Sequence, residues 1–590
     1  MSARAERRGR SLHDRALGRL RADPTAVPPP RGYRLPDEPE PGEAPPWADV
    51  DGLVLGALTP LPADAATLLR RFALLGLTGL HTYRIAAVIA RLPLSEDRLA
   101  TARALGRQLT RTGTTRVGVG AGLALLARVG EPEDVPYLAV LGLYRDLGTL
   151  AVRALDVLDR RRSAALWLLF HTRRPELRPL VEALWREDGA TARTELLAFP
   201  TDRLPSTAAR RIAEAVRLAH LLREDPSDTD LLARAALLLA RMGRSPDDPS
   251  DLLACADALA LYGTVVTRAD ELPPTLDNAA VLLSLVQDLD TGTGVLLDWP
   301  PGRRAELLQA LERLLAGPRW ATVGAPDQRH RTAWFHRGRR RLAQRPAEPR
   351  RLRIQVVAGD PAEQARAETR ILVDGRPVVP AVFGYGPGSP PDHLLTAGAL
   401  RAREEPHEVQ LAEAHCAEGC CGALQVTVRR DGEEVVWENW RHPRTLPGNQ
   451  VPAPELPAYR FDAAEYDAEI TRATADRSWT WPARTIARWI RTTLTNAPEI
   501  LGRWDSKPGW INTNPDDPDT VVVMIWYRPS PEARPLRFRW LIPDDGTPSL
   551  DQVDAAVCRL TDHHPTTYAR LDGYTREDAA DLGYPWPDEA

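Results

Sequence analysis

The sequence predicts a multidomain protein in which an all-α region of helical repeats is followed by an antiparallel β domain and a small α+β domain. Three observations support this fold class. Across residues 51–328, apolar residues recur at the spacing of three and four that is typical of helices. After Leu352 the apolar spacing changes to two, which indicates strands. Residues 458–590 combine both spacings and are rich in tryptophan, which predicts a small domain of mixed structure.

Residues 1–50 are predicted to form a basic and proline-rich disordered tail. The first 22 residues carry seven arginines, and residues 24–46 contain nine prolines. This composition buries little apolar surface, so an extended segment is favoured. A short amphipathic helix that docks on an acidic partner is the alternative for the first 22 residues.

A proline motif repeats within the helical region. Pro132-Glu-Asp-Val-Pro136 recurs as Pro175-Glu-Leu-Arg-Pro179 at an offset of 43 residues, and a degraded third copy is predicted to start at Pro246. Each copy opens an apolar helix that follows another helix, so the predicted unit holds two helices. Such a period resembles the HEAT type of α-solenoid over about residues 80–320. The resemblance implies stacked helix pairs that share one apolar core, and an irregular helical bundle is the alternative.

An arginine-rich linker is predicted at residues 329–351. Residues 329–353 hold ten arginines against one acid, Glu348. Two interpretations remain open, a charged linker between domains and a nucleic-acid patch. In the second, arginines such as Arg339, Arg340 and Arg341 would neutralise phosphates. Trp334 and Phe335 would then stack on bases.

The antiparallel β domain is predicted at residues 352–445. Its clearest hairpin is centred on Asp431-Gly432, a pair that supplies the positive φ angles of a type I′ turn. A second tight turn is predicted at Asp374-Gly375, leading into a strand at Pro377-Val-Val379. These hairpins predict a sheet with one face buried and the other exposed.

Three of the five cysteines lie just before the longer hairpin, in His415-Cys416-Ala-Glu-Gly-Cys420-Cys421. Thiolate and imidazole are donors that zinc prefers, so a zinc site is one interpretation. Its predicted ligands are Cys416, Cys420, Cys421 and His415, with His407 or His442 as further donors. The adjacent cysteines and the lack of a second cysteine pair depart from the usual zinc spacing. A reactive thiol of lowered pKa and simple buried packing are the other interpretations.

The C-terminal half resembles a group of actinobacterial proteins. The resemblance covers about residues 350–590 and rests on the string from Leu411 to Leu424 with its cysteines, on Glu434-Val-Val-Trp437, on Arg503-Trp-Asp505, on Pro508-Gly-Trp510 and on Gly583-Tyr-Pro-Trp-Pro587. No activity is established for that group. The resemblance therefore implies no catalytic residue and no cofactor.

The sequence favours a protein that is not an enzyme. Gly-x4-Gly-Lys, His-Glu-x-x-His and Gly-x-Ser-x-Gly motifs are all absent. Ten of the sixteen tryptophans lie between Trp437 and Trp586, and tryptophan both fills cores and anchors interfaces. We therefore expect an interaction or scaffold protein that binds a macromolecule, with a protein as the favoured partner, through the solenoid and a tryptophan-rich second surface. A metal- or thiol-dependent enzyme or redox sensor built on the three cysteines is the alternative, and nucleic-acid binding through residues 329–353 is a weaker one.

The bulk composition predicts a cytoplasmic protein. The net charge is -4, the apolar content is 43%, and no run of eighteen apolar residues occurs. Hence we expect no membrane span, no secretory leader and reduced thiols. Neither the identity of a partner nor the oligomeric state follows from the sequence.

Overall fold

The structure is a computed structural model, and it describes most of the chain in two compact units, Met1–Leu238 and Leu239–Ala590. Each unit is treated by itself below. The described residues are 10–22, 27–29, 31–35, 45–171, 174–201, 204–243, 251–342, 350–363, 366–384, 386–414, 422–442 and 456–586.

Helices make up the regular structure of the described part of the first unit. They are α1 (Leu12–Ala22), α2 (Val50–Leu58), α3 (Ala65–Leu74), α4 (Thr82–Arg91), α5 (Glu96–Thr112), α6 (Arg116–Val129), α7 (Val135–Leu141), α8 (Gly148–Leu158), α9 (Arg160–His171), α10 (Arg178–Trp185), α11 (Gly189–Ala198), α12 (Ser206–Ala215) and α13 (Leu218–Glu224). The following helix, α14 (Thr229–Met242), crosses the division between the units. The expected helical N-terminal half is confirmed.

One order of elements recurs along this unit. The 3₁₀ turns Gly79–His81, Pro132–Asp134 and Pro175–Leu177 lead directly into α4, α7 and α10. Each of these helices is preceded by one helix (α3, α6 or α9) and followed by another (α5, α8 or α11). The recurring block therefore holds three α-helices, where the sequence predicted two. The predicted third proline copy, at Pro246, lies outside the described residues.

Helix α6 lies at the centre of this packing and contacts α4, α5 and α8. Its glycines explain how these helices approach so closely. A Cβ atom added at Gly122 would lie 2.8 Å from the Cβ of Leu109 on α5. A Cβ atom at Gly120 would overlap the methyl group of Thr82 on α4. The glycine cluster that begins at Gly118 thus serves helix packing.

Part of the predicted N-terminal tail is folded. Leu12 and Ala16 of α1 are buried, and the hydroxyl of Tyr144 donates to the carbonyl oxygen of Leu12 at 3.1 Å. Farther along, the backbone N–H of Tyr33 donates to the carbonyl oxygen of Leu143 at 2.8 Å. The prediction of a wholly disordered tail was therefore wrong for these residues. Apolar side chains on one face of a short basic helix were sufficient to dock it.

The second unit begins with further helices. These are α15 (Asp251–Ala254), α16 (Ala258–Thr267), α17 (Leu276–Thr291), α18 (Arg303–Ala316) and α19 (Arg329–Leu342). The compact division thus falls near residue 238 and not at the arginine-rich segment. Helix α19 itself occupies much of the predicted linker and packs against α17 and α18.

Three antiparallel sheets follow in the second unit. The first contains β1 (Leu352–Ala358), β2 (Ala367–Val373) and β3 (Arg376–Pro377); the second contains β4 (His407–Glu413), β5 (Ala423–Asp431), β6 (Glu434–Arg441) and β7 (Tyr459–Asp462); the third contains β8 (Ser506–Thr513), β9 (Thr520–Tyr527), β10 (Leu536–Pro543) and β11 (Arg570–Leu571). The strand orders are β1-β2-β3, β4-β5-β6-β7 and β11-β10-β9-β8. The expected antiparallel C-terminal half is confirmed.

Short helices accompany the sheets. They are α20 (Val378–Val382), α21 (Ala463–Ala475), α22 (Pro482–Asn496), α23 (Glu499–Gly502), α24 (Ser549–Asp562) and α25 (Arg576–Asp581). A five-residue π-helix, Asp392–Thr396, lies between α20 and β4. Residues 378 and 379, predicted as strand, belong to α20.

The two predicted Asp-Gly turns differ. Asp374 and Gly375 have φ angles of 51° and 75°, which is the double positive φ of a type I′ turn. In the longer hairpin, Asp431 pairs with Glu434, so the two turn residues are Gly432 and Glu433. Among the residues of that turn only Gly432 has a positive φ, 60°. The hairpin prediction was correct there, whereas the turn type was wrong.

One apolar core joins the first two sheets with α21. The indole of Trp437 is fully buried and meets the rings of Trp440, Phe461 and Tyr466 edge-on, with centroids 5.7–6.3 Å apart. Phe461 lies on β7 and Tyr466 on α21, so residues 459–475 belong to this core. The sequence had placed them in the last domain. Edge-to-edge strand pairing between β6 and β7 explains the difference.

No single helix in the described ranges is long and apolar enough to cross a bilayer. The bent pair Ala65–Leu74 and Gly79–Arg91 meets that test only when its two parts, 104° apart, are taken together.

Candidate binding surface on the C-terminal sheet

The predicted zinc and thiol residues His415, Cys416, Cys420 and Cys421 lie outside the described residues. The residues that flank them are described. Ala414 donates its backbone N–H to the carbonyl oxygen of Gly422 at 3.1 Å, at one end of the β4–β5 ladder.

The histidines proposed as further ligands differ in position. His407 begins β4, about 23 Å along the strand from that end of the ladder, and its Nε2 lies 3.0 Å from the carbonyl oxygen of Ala399. His442 follows the residue that pairs with Gln425, so it lies near the cysteine end. Within the described ranges, no three His, Cys, Asp or Glu side chains gather as a metal site. The metal and thiol interpretations stay predictions.

The arginine-rich segment is largely occupied by contacts inside the chain. Trp334 and Phe335 are 4% and 0% exposed, so neither ring can stack on a base. Trp334 donates its Nε1–H to the carbonyl oxygen of Ala358 at 2.9 Å. These two rings anchor α19, which explains why a segment with ten arginines is a packed helix.

Two of the three arginines chosen for a nucleic-acid patch have internal acceptors. Arg339 donates to the carbonyl oxygens at the C-terminus of α18, at distances of 2.6 Å (Leu315), 2.7 Å (Ala316) and 3.2 Å (Gly317). A cation there also faces the negative end of the helix dipole. Arg341 donates to the carbonyl oxygen of Val356 at 2.9 Å, whereas Arg340 is exposed.

The third sheet is covered on one face and open over part of the other. Val521, Val523 and Ile525, at alternate positions of β9, are fully buried, and α22 packs against β8 and β9. Residues between them on β9 point to the opposite face, because side chains alternate along a strand. Trp526 is one of these, and 41% of its surface is exposed.

The cross-strand register surrounds Trp526 with cations. Lys507 on β8 and Arg537 on β10 are its direct partners. In the next row Met524 pairs with Arg539, which in turn pairs with Arg570 on β11. We name this surface the basic–aromatic face and define it by six residues: Lys507, Met524, Trp526, Arg537, Arg539 and Arg570.

Contacts within the basic–aromatic face hold its side chains in place. The guanidinium of Arg537 lies 5.8 Å from the centre of the Trp526 ring and pairs with Asp572 at 2.5 Å. The Arg570 guanidinium covers the ring of Trp586 at 4.0 Å. A Cβ atom added at Gly509 would lie 3.1 Å from Nε1 of Trp526, so the indole rests over that glycine. Trp510, the next residue, is 50% exposed.

The chemistry of the face is that of a binding surface. It presents four cations, one of them paired with a carboxylate, around an exposed indole, and it has no nucleophile or general base among its six residues. Tryptophan and arginine supply much of the energy of protein interfaces, and an excess of positive charge attracts acidic partners.

Sequence reasoning missed this face because β9, Thr-Val-Val-Val-Met-Ile-Trp-Tyr, is apolar almost throughout. Its alternation is therefore invisible in the sequence. One available signal was the sole lysine of the chain, Lys507, close to an unusual density of tryptophan.

Comparison with known proteins adds no relative: the chain matches no protein-family model, no curated protein and no solved structure.

Proposed function

We propose that this protein is a non-enzymatic interaction protein that binds an acidic segment of a protein partner on its basic–aromatic face. The observation that supports this best is the position of Trp526, which is exposed between Lys507 and Arg537 on an open sheet face. The indole offers a large apolar contact at little cost in side-chain entropy. The surrounding cations raise the association rate and select for carboxylates.

The helical first unit is proposed to act as a solenoid-type scaffold that offers a second, extended surface to the partner. The recurring order of a helix, a 3₁₀ turn and two further helices supports this, and so does the packing of α6 on its sequence neighbours α4, α5 and α8. Blocks that bury their apolar faces on adjacent blocks form elongated binding surfaces.

The test uses the full chain as bait in an extract of cells that make the protein. Candidate partners are purified, and their affinity is measured for the native chain and for three variants. Trp526→Ala and Lys507→Glu change the basic–aromatic face. Trp47→Ala is the matched control, because Trp47 lies in the first unit and is 56% exposed.

A protein partner bound at least 10-fold more weakly by both face variants, and normally by the control, would support the proposal. Binding should also weaken as salt is raised, since exposed charges are screened. If every partner binds all four chains equally, the face is not the binding surface. If the face instead binds single-stranded oligonucleotides and no acidic protein, the protein-partner proposal is overturned in favour of nucleic acid.

A further inference from the structure

A second basic cluster, separate in its residues from the basic–aromatic face, lies along α22. Arg484, Arg488 and Arg491 are spaced by four and three residues and so share one side of the helix. Arg477, just before the helix, adds a fourth positive charge that acts on Arg488. Like charges at this spacing repel one another, so the cluster requires a counter-charge.

Asp392 supplies the only carboxylate that pairs with these arginines in the described part of the chain. It opens the π-helix, a geometry frequent at functional sites. Its Oδ2 accepts a hydrogen bond from Arg484 Nη2 at 2.6 Å, and its Oδ1 accepts one from Arg491 Nη2 at 2.5 Å. One carboxylate is thus shared by two guanidinium groups. Burial raises the pKa of Asp392, but Arg484 and Arg491 outweigh burial, and the net result is a lowered pKa.

Arg484 is the buried member of the cluster, with 6% of its surface exposed. Its guanidinium lies between the rings of Trp479 and Trp481, at 5.1 and 5.5 Å from their centres. Its Nη1 donates to Oδ1 of Asn512 at 3.1 Å, whereas its buried Nε has no hydrogen-bond partner in the described part of the chain. A charged side chain held this firmly can position a ligand but cannot turn away to find water.

Arg488 is the member whose charge is least compensated. No described carboxylate forms an ion pair with it, and its guanidinium lies 5.2 Å from the ring of its neighbour Trp489. Burial lowers its pKa, as do Arg477 and Arg491, and Asp392 only partly opposes them. Four guanidinium groups therefore meet one carboxylate, which leaves an excess of three positive charges.

We propose that this cluster is a binding site for a phosphate group, with Arg488 as its open ligand and Asp392 as the residue that positions Arg484 and Arg491. A phosphomonoester carries a charge of about -1.5 to -2 at neutral pH, so it offsets most of the excess. Arginine binds phosphate oxygens in pairs through its planar fork of N–H donors. The carboxylate position of the cluster is already filled by Asp392, which favours a phosphate over a carboxylate ligand.

The experiment titrates the full chain calorimetrically with glycerol 2-phosphate, sulfate and acetate. The variants are Arg488→Gln and, as a matched control, Arg313→Gln, which alters an exposed arginine on α18. We expect saturable binding of glycerol 2-phosphate and sulfate, weak or no binding of acetate, and a loss of at least 10-fold for Arg488→Gln alone. Trp526→Ala should leave phosphate binding unchanged, so this proposal and the proposed function fail independently.

Two further readouts separate a ligand role of Arg488 from a structural one. Without ligand, Arg488→Gln should keep or raise the thermal midpoint, because it removes like-charge repulsion. A merely structural arginine would lower it. The affinity for glycerol 2-phosphate should also fall from pH 7.5 to pH 5, since its second ionisation has a pKa of about 6, whereas the affinity for sulfate should not change.

A peptide with one phosphoserine, compared with glycerol 2-phosphate, distinguishes a phosphorylated chain from a small metabolite as the source of the phosphate. Tighter binding of the peptide indicates the former, and equal binding indicates the latter. The proposal is overturned if no phosphate compound binds saturably, or if Arg313→Gln weakens binding as much as Arg488→Gln does. A lower thermal midpoint for ligand-free Arg488→Gln, together with unchanged phosphate affinity, also overturns it.

Discussion

Replacing Tyr262 with phenylalanine should destabilise the surroundings of Asp288 by about 1.5–3 kcal/mol, the typical worth of a hydrogen bond to a charged group. Tyr262 and Asp288 are buried, with 0% and 5% of their surfaces exposed. The Tyr262 hydroxyl donates to Oδ2 of Asp288, and the backbone N–H of Gly294 donates to Oδ1 at 3.1 Å. The substitution leaves Oδ2 buried without that donor.

The surroundings place the expected loss toward the upper end of this range. A Cβ atom added at Gly294 would lie 2.7 Å from Oδ2 of Asp288, and one added at Gly243 would lie 2.8 Å from its carboxyl carbon. The carboxylate is therefore enclosed by backbone and has little room to turn toward another donor. Core packing of this density relaxes only partly after a substitution.

The pH dependence has a defined sign. Burial raises the pKa of Asp288, and the Tyr262 hydroxyl lowers it in part. A carboxyl group with a raised folded pKa stabilises the fold fully below its unfolded pKa of about 3.9, and this contribution is lost as pH rises through the folded pKa. Phenylalanine at 262 raises the pKa of Asp288 further. The deficit of the variant should therefore shrink as the pH falls.

Hydrogen exchange of peptides from residues 276–296, corrected for the intrinsic exchange rate at each pH, measures this local stability. Tyr466→Phe is the matched control: Tyr466 is 1% exposed, and its hydroxyl donates to the carbonyl oxygen of Leu400 at 2.6 Å. A neutral acceptor should cost only about 0.5–1.5 kcal/mol, around residue 466. Equal losses in the two variants, or a Tyr262→Phe deficit that grows on acidification, would refute the reasoning.

Two further substitutions have matched controls. Arg339→Ala should lower the stability of the second unit by about 1–3 kcal/mol, because three carbonyl oxygens of α18 and its C-terminus lose a charged donor; exposed Arg340→Ala should stay within about 0.5 kcal/mol, as calorimetric melting would show. Gly120→Ala should destabilise the first unit by about 1–3 kcal/mol through overpacking against Thr82. In contrast, Gly52→Ala in α2, with no atom within 4 Å of the added Cβ, should stabilise it by about 0.5–1 kcal/mol. Denaturant unfolding checks both glycine variants, and a stabilised Gly120→Ala would contradict the packing argument.

Local patterns in the sequence predicted the elements well. The spacing of Leu307, Leu308, Leu311 and Leu315 predicted the buried stripe of α18, and all four are buried. The turn at Asp374-Gly375 has the φ angles that its residue types favour. Both features depend on residues close in sequence, so sequence alone was sufficient for them.

Features that depend on distant residues were not predictable in this way. Strand β7 follows β6 only after a gap of 17 residues, and its pairing decides which core receives Tyr466. The ion pair between Asp392 and Arg484 joins positions 92 residues apart. Within α22 itself, however, the spacing of the three arginines was visible in the sequence, and only their missing counter-charges were not.

Arginine has several jobs in this chain, because it supplies nearly every cation beside the single Lys507. It caps a helix end through Arg339 and pairs with the buried carboxylate of Asp134 through Arg107 at 2.8 Å. Arginine density is therefore a poor guide to binding. The informative property is whether a guanidinium group finds an acceptor within the fold. By that criterion the functional interest moves from the arginine-rich helix α19, where Arg339 and Arg341 have acceptors, to α22, where Arg488 pairs with no described carboxylate.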